Sequence, residues 1–214
     1  MPFLSGHGLL KKIVVTLLLL PALVYLTRVG VADFLRLAPC AYIEAVQKGG
    51  ARLDPAELVK SRERLLLARS WDSGNPIIPE FLGQIAFMRA QLISLSPSAQ
   101  AVFLREAIVA FQEAIELRPN SAFLWADRMT AGSWLLEINS RLGRNDGNVK
   151  SELSVIRMAL CRASVLDPWN PQVLTQLVKV GTLRYMEFSP EERMIIDGAV
   201  ARAKQLNLKI RPIK

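Results

Sequence analysis

The 214-residue chain holds one histidine, His7, and two cysteines, Cys40 and Cys161. His7 precedes the most apolar stretch, so no histidine is left downstream for a Ser-His-Asp constellation. Two distant cysteines supply neither a zinc set nor a disulfide framework. No Walker loop occurs, and no GxGxxG follows a strand. No basic run is longer than Lys11-Lys12, and no segment alternates apolar and polar residues between turns. These absences predict a chain without a sheet, a cofactor or a bound metal. They also predict no nucleic-acid partner and no catalytic activity. Acid pairs do occur, at Glu191-Glu192 and at Glu113 and Glu116. The first follows Ser189-Pro190 at a helix start, where acids suit the helix dipole, and the second falls on an exposed face. A glycosidase would need two acids across a cleft, and nothing in the sequence marks one.

Charge is present but dispersed. There are 27 Lys and Arg against 19 Asp and Glu, a formal balance of +8. Such a balance suits nucleic acid, a membrane surface or an acidic polymer. The basic residues stand singly, as at Arg89, Arg105, Arg118, Arg128 and Arg157, which is how solvated helix faces read. Clustering of Arg89, Arg105, Arg128 and Arg157 on one surface would instead mark an exported module for an anionic polymer.

Apolar residues make up 51 % of the chain, with a mean hydropathy of +0.24. The densest stretch, IVVTLLLLPALVYLT from Ile13 to Thr27, carries no charge. A spanning helix needs about 20 residues, and snorkelling by Arg28 together with Val29 to Ala32 extends this one. Lys11 and Lys12 ahead of it favour a cytoplasmic N-terminus. The expected division is a cytoplasmic N-terminus at 1–10, a transmembrane anchor and exit at 11–37, a linker at 38–55 and a helical domain at 56–214. The localisation expected from this is a single-pass protein of a bacterial inner membrane with its C-terminal domain in the periplasm. The competing reading is a signal peptide cleaved before Asp33. Leu37-Ala38-Pro39-Cys40 is a poor lipoprotein signal, because it lies far from the apolar run and has Pro before Cys.

Beyond Pro55 the period is helical. Helices are expected over 56–71, 79–95, 99–117, 122–142, 150–166, 172–188 and 190–206. Asp54-Pro55 and Ser189-Pro190 suit helix starts, Ser96-Pro97-Ser98 reads as a turn, and Gly143 to Asn148 has the composition of a loop.

The stretch EAIVAFQEAIELRPN places Ala107, Phe111, Ala114 and Pro119 at spacings of four, three and five. Small residues let two helices approach, the aromatic fills the gap between pairs, and Pro stops the helix. The spacing returns at Ile156, Leu160, Ala163 and Pro168. It returns more weakly at Ile196, Val200, Ala203 and Leu208. Trp125 and Leu82-Gly83 fall where first-helix features belong. The pattern resembles a degenerate tetratricopeptide array. Pro119 and Pro168 are 49 residues apart, longer than the family's usual repeat. Together with the anchor and the later VLDPWNP turn, the chain also resembles the small VpsP-type proteins of bacterial exopolysaccharide gene clusters. That resemblance implies an all-α fold with one transmembrane helix, and a scaffold or adaptor role in polysaccharide biosynthesis or export. The architecture also suits pilus and secretion assemblies. Partner proteins are expected on the repeat surface, and contact with polysaccharide is compatible with it. Trp134 is the residue expected to face partners, with Arg89, Arg128 and Arg157. Trp125, about half a helical turn away in direction from Trp134, is expected in the core.

Overall fold

The computed structural model describes residues 6–92, 95–143 and 149–210, with side chains from residue 14 onward. Eight α-helices follow one another among them: α1 (Gly6–Gln47), α2 (Pro55–Trp71), α3 (Ile77–Ala90), α4 (Pro97–Leu117), α5 (Ala122–Arg141), α6 (Val149–Leu166), α7 (Pro171–Leu183) and α8 (Pro190–Gln205). A 3-10 turn at Tyr185–Glu187 links the last two, and no strand occurs among the described residues. The all-α expectation holds.

Four helices start by the same local chemistry. Asp54, Ser96, Asn170 and Ser189 are capping residues, each followed by Pro at a first-turn position. Their side chains accept backbone N–H groups that have no partner within the helix, such as Ala56 N at 2.9 Å and Gln172 N at 3.0 Å. Ser189 goes further and forms a reciprocal capping box with Glu192.

Consecutive helices pair antiparallel: α1 with α2, α3 with α4, α5 with α6, α7 with α8. Helix α5 also packs on α4 and on α7, and α1 touches α3. The result is an array with α1, α3, α5 and α7 in one layer and α2, α4, α6 and α8 in the other. The repeat residues sit where the pairs close. Ala107, Phe111, Ala114, Ile156, Leu160 and Ala163 are all buried, as is Trp125, whose Nε1 donates to the Pro119 carbonyl at 2.7 Å. Pro119 and Pro168 stand in the turns just after α4 and α6.

Glycines set the closest approaches. Gly83, Gly132 and Gly181 lie 49 residues apart in succession, one in each of α3, α5 and α7. A Cβ on Gly83 would stand 2.7 Å from the Phe111 ring, and one on Gly181 would stand 2.7 Å from Ile196. At Gly132 it would strike Glu152 and come within 3.2 Å of Ile156. Only a hydrogen fits between these helices.

Helix α1 departs from the expected layout. It runs without a break through the expected linker as far as Gln47, and Pro21 and Pro39 both lie inside it. Its first half is bare, with Leu17, Leu18, Leu19, Leu20 and Leu23 each at least 60 % exposed. Its second half is built into the domain, with Ala32, Cys40 and Ile43 buried among Leu58, Leu65, Ile78 and Ile85. The stretch from Val14 to Gln47, which holds an 18-residue window of mean hydropathy 2.0, is long and apolar enough to cross a membrane. Two expected boundaries also shift: α3 stops at Ala90 rather than Leu95, and α7 stops at Leu183 rather than Phe188. The loop expected at Gly143–Asn148 lies, after Gly143, outside the described residues.

Candidate functional site

Three helices of the first layer each leave one ridge incompletely covered. On α3 it is Ile77, Glu80, Gln84 and Phe87; on α5 it is Phe123, Asp127, Thr130 and Trp134; on α7 it includes Gln176 and Lys179. The three- and four-residue steps keep each set on one helix face. The ridges lie side by side. Phe87 and Trp134 meet edge to face with ring centroids 5.8 Å apart. Gln176 Nε2 donates to Asp127 Oδ1 at 2.7 Å, and Thr130 Oγ1 donates to Gln176 Oε1 at 3.3 Å. Arg118, in the turn after α4, pairs with Glu80.

Two acids share this face in partly desolvated surroundings. Burial pushes the Asp127 carboxyl up to about 7, hydrogen bonds from Gln176 and Gln84 work against the rise, and the charge of Glu80 adds to it. Burial likewise raises Glu80, against the pull of Arg118. Gln84 Oε1 is buried without a hydrogen-bond partner. The face therefore combines an aromatic end at Phe87 and Trp134 with a hydrogen-bonding end at Asp127 and Gln176. It offers stacking and hydrogen bonding to a partner chain or to sugar rings.

A second recess lies in the other layer, between α2 and α4. It encloses about 440 Å³ over a floor of Leu82 and Ala86 from α3. Leu66, Val102 and Val109 line its walls, with Val109 67 % exposed. The pairs Arg69–Glu113 at 2.8 Å and Arg62–Glu106 at 3.9 Å span it.

The structure does not gather the arginines singled out in the sequence. Arg128 is buried and holds Glu152 with both terminal nitrogens, at 2.6 and 3.1 Å. Arg157 reaches the Glu187 carbonyl and pairs with Glu192 at 3.5 Å, between α6 and the α7–α8 end. Arg89 lies over the Phe103 ring, 4.0 Å from its centroid. Arg105 lines the α2–α4 recess. They serve four separate places. Trp134 is half-buried on the open face, against Phe87.

No family model matches the chain, and no curated protein does either.

Sequence reasoning overlooked Glu80 and Asp127 in favour of Glu113, Glu116, Glu191 and Glu192. Glu113 pairs with Arg69, Glu116 accepts from Gln112, and Glu192 closes the capping box. The sequence does hold a signal for Asp127. It stands between the buried Ala126 and Arg128 in α5, a helix apolar on most sides. It also overlooked Gly132 and Gly181, although the successive 49-residue steps from Gly83 to Gly132 and from Gly132 to Gly181 equal that from Pro119 to Pro168.

Proposed function

We propose that the chain is a membrane-anchored scaffold whose tetratricopeptide-like array presents partners to a bacterial polysaccharide biosynthesis or export assembly. The observation that carries the scaffold reading is the continuity of α1. One helix supplies both the bare apolar segment and a wall of the array's first core. A helix of 42 residues measures about 63 Å, enough to span a bilayer and still pair with α2.

The same continuity speaks against cleavage before Asp33. A cut there would remove Ala32, which is fully buried in the first core, and Arg28, whose Nε donates to the Trp71 carbonyl at 3.0 Å. The paired lysines ahead of the run favour a cytoplasmic N-terminus and a periplasmic array. The burial of Arg128 and the pairing of Arg157 weigh against an anionic-polymer module, since neither guanidinium is offered to a polyanion.

The open face of α3, α5 and α7 is the surface for a partner, with Trp134 and Phe87 as its aromatic anchor. The polysaccharide assignment rests on the resemblance to VpsP-type proteins. Pilus or secretion assemblies remain the alternative on architecture alone. The deciding experiment purifies the tagged chain from gently solubilised native membranes and identifies its companions. Polysaccharide synthesis or export components are expected. Pilus or secretion components would keep the scaffold and discard the polysaccharide role. Recovery from the soluble fraction, starting at Asp33, would sink the anchor.

A further inference from the structure

A cleft of about 410 Å³ opens between α1 and the turn that joins α2 to α3. Pro21, Val24, Tyr25 and Arg28 line it from α1, Trp71 from the end of α2 and Asp72 from the turn. Its position relative to a bilayer follows from two observations, and it rests on the reading that α1 spans one.

The first is length. The charge-free run from Ile13 to Thr27 is fifteen residues, and at about 1.5 Å per residue it covers only ~22 Å of a ~30 Å hydrocarbon layer. A short span is met by local thinning of the bilayer and by snorkelling of its flanking cations, so the headgroup boundary settles at Arg28. The second is the antiparallel course of α2. Its start is tied to Tyr42, whose hydroxyl accepts from Asp54 N at 2.8 Å, and its end is tied to Arg28 through the Trp71 carbonyl at 3.0 Å. Trp71 therefore lies at the level of Arg28, with Tyr25 one turn deeper. Both rings are open, Trp71 at 39 % and Tyr25 at 67 % exposure, and ring systems of this kind concentrate at the headgroup level.

We infer that this cleft seats the headgroup of a phospholipid of the bilayer. The Arg28 guanidinium uses Nε to hold Trp71 and directs its terminal nitrogens to the phosphate, a geometry that guanidinium matches well. The Val24 and Pro21 surface lies along the lipid's upper chain. Asp72 puts a negative charge on the same rim, so the cleft suits a zwitterionic headgroup better than an anionic one. The contact fixes the array flush against the membrane instead of leaving it on a free stalk.

The test reconstitutes the full chain and its Trp71→Phe variant into vesicles of phosphatidylcholine and phosphatidylethanolamine carrying a headgroup nitroxide lipid. Resistance to alkaline extraction is read on the same vesicles. Tryptophan emission is expected to be quenched clearly more in the parent chain than in Trp71→Phe. Arg28→Gln is expected to lower the Trp71 share of the quenching about twofold or more. A chain that resists extraction but is quenched equally with and without Trp71 overturns the cleft and leaves the anchor standing. Quenching of Trp71 that ignores Arg28→Gln overturns the phosphate contact, and quenching that needs added anionic lipid overturns the zwitterionic assignment. A chain extracted by alkali overturns the anchor, and the cleft with it.

Discussion

Arg128 of α5 and Glu152 of α6 form a two-pronged ion pair, at 2.6 and 3.1 Å, beside the glycine where the two helices come closest. The Arg128 side chain is only 6 % exposed and Glu152 18 %, so each charge depends on the other for solvation. Removing one partner from such a pair leaves a buried charge and costs about 3 kcal/mol or more, whereas replacing both by apolar side chains costs far less. Glu152→Ala is expected to destabilise the fold by about 3 kcal/mol, and Arg128→Met with Glu152→Leu by clearly less. Urea unfolding of the detergent-solubilised proteins checks this. Equal losses in the single and double variants would show that the pair contributes packing alone.

Gly83 and Phe111 make a steric test of the repeat. A Cβ at position 83 would sit 2.7 Å from two ring atoms of Phe111, itself 1 % exposed. Alanine is the better helix former by up to about 1 kcal/mol, but overpacking costs about 1–3 kcal/mol. Gly83→Ala is expected to lower the melting temperature, and adding Phe111→Leu is expected to restore part of the loss. Thermal melts of the three proteins decide it, and a gain in Gly83→Ala alone would mean that the helices can part cheaply.

Much of this fold is legible because its signals are local. The cap-and-proline starts at Asp54-Pro55 and Ser189-Pro190 mark helix starts by chain chemistry alone, and Ser96-Pro97, which reads as a turn, caps α4 in the same way. The Ala107, Phe111 and Ala114 spacing marks the second helix of a pair, because small and aromatic residues must alternate where two helices close. The continuity of α1 was hidden for an equally physical reason. The expected linker begins at residue 38, yet Pro39 is buried inside the helix, which runs on to Gln47. Tertiary packing of Cys40 and Ile43 outweighs the local penalty. The open face was harder still. Glu80, Asp127 and Gln176 are far apart in sequence, and only the stacking of α3, α5 and α7 brings them together. Single arginines carry no label that tells a buried ion pair such as Arg128 from a solvated one.

The two cysteines report on α1 directly. Cys40 is 8 % exposed and burial pushes its thiol up to about 11, while Cys161 is partly exposed and its thiol, also raised by burial, is less shielded. Only the thiolate reacts, so a maleimide at neutral pH is expected to label Cys161 well before Cys40, and Cys40 only after denaturation. Mass spectrometry of the digested protein reads both sites. Prompt labelling of Cys40, or a lipid mass on it, would show that the second half of α1 is not packed into the domain.

Asp127 ties pH to the stability of the array. Its carboxyl is pushed from 3.8 to about 7 in the folded chain, chiefly by burial. Between those values the folded state keeps a proton that the unfolded state has released. Stability must therefore fall as pH rises from about 4 to about 7, and level off above, the reverse of a salt-bridged aspartate. One such proton gives a slope approaching ~1.4 kcal/mol per pH unit. Glu80 is raised by burial as well, so part of the slope survives without Asp127. Asp127→Asn retains a hydrogen-bonding group toward Gln176 and removes the titration. The stability of the parent chain relative to Asp127→Asn is thus expected to decline steadily across this window. Unfolding midpoints of both proteins measured from pH 4 to pH 8 test it. A difference that stays constant, or grows with pH, would mean that Asp127 is ionised throughout, and the open face would then carry a fixed negative charge at its centre.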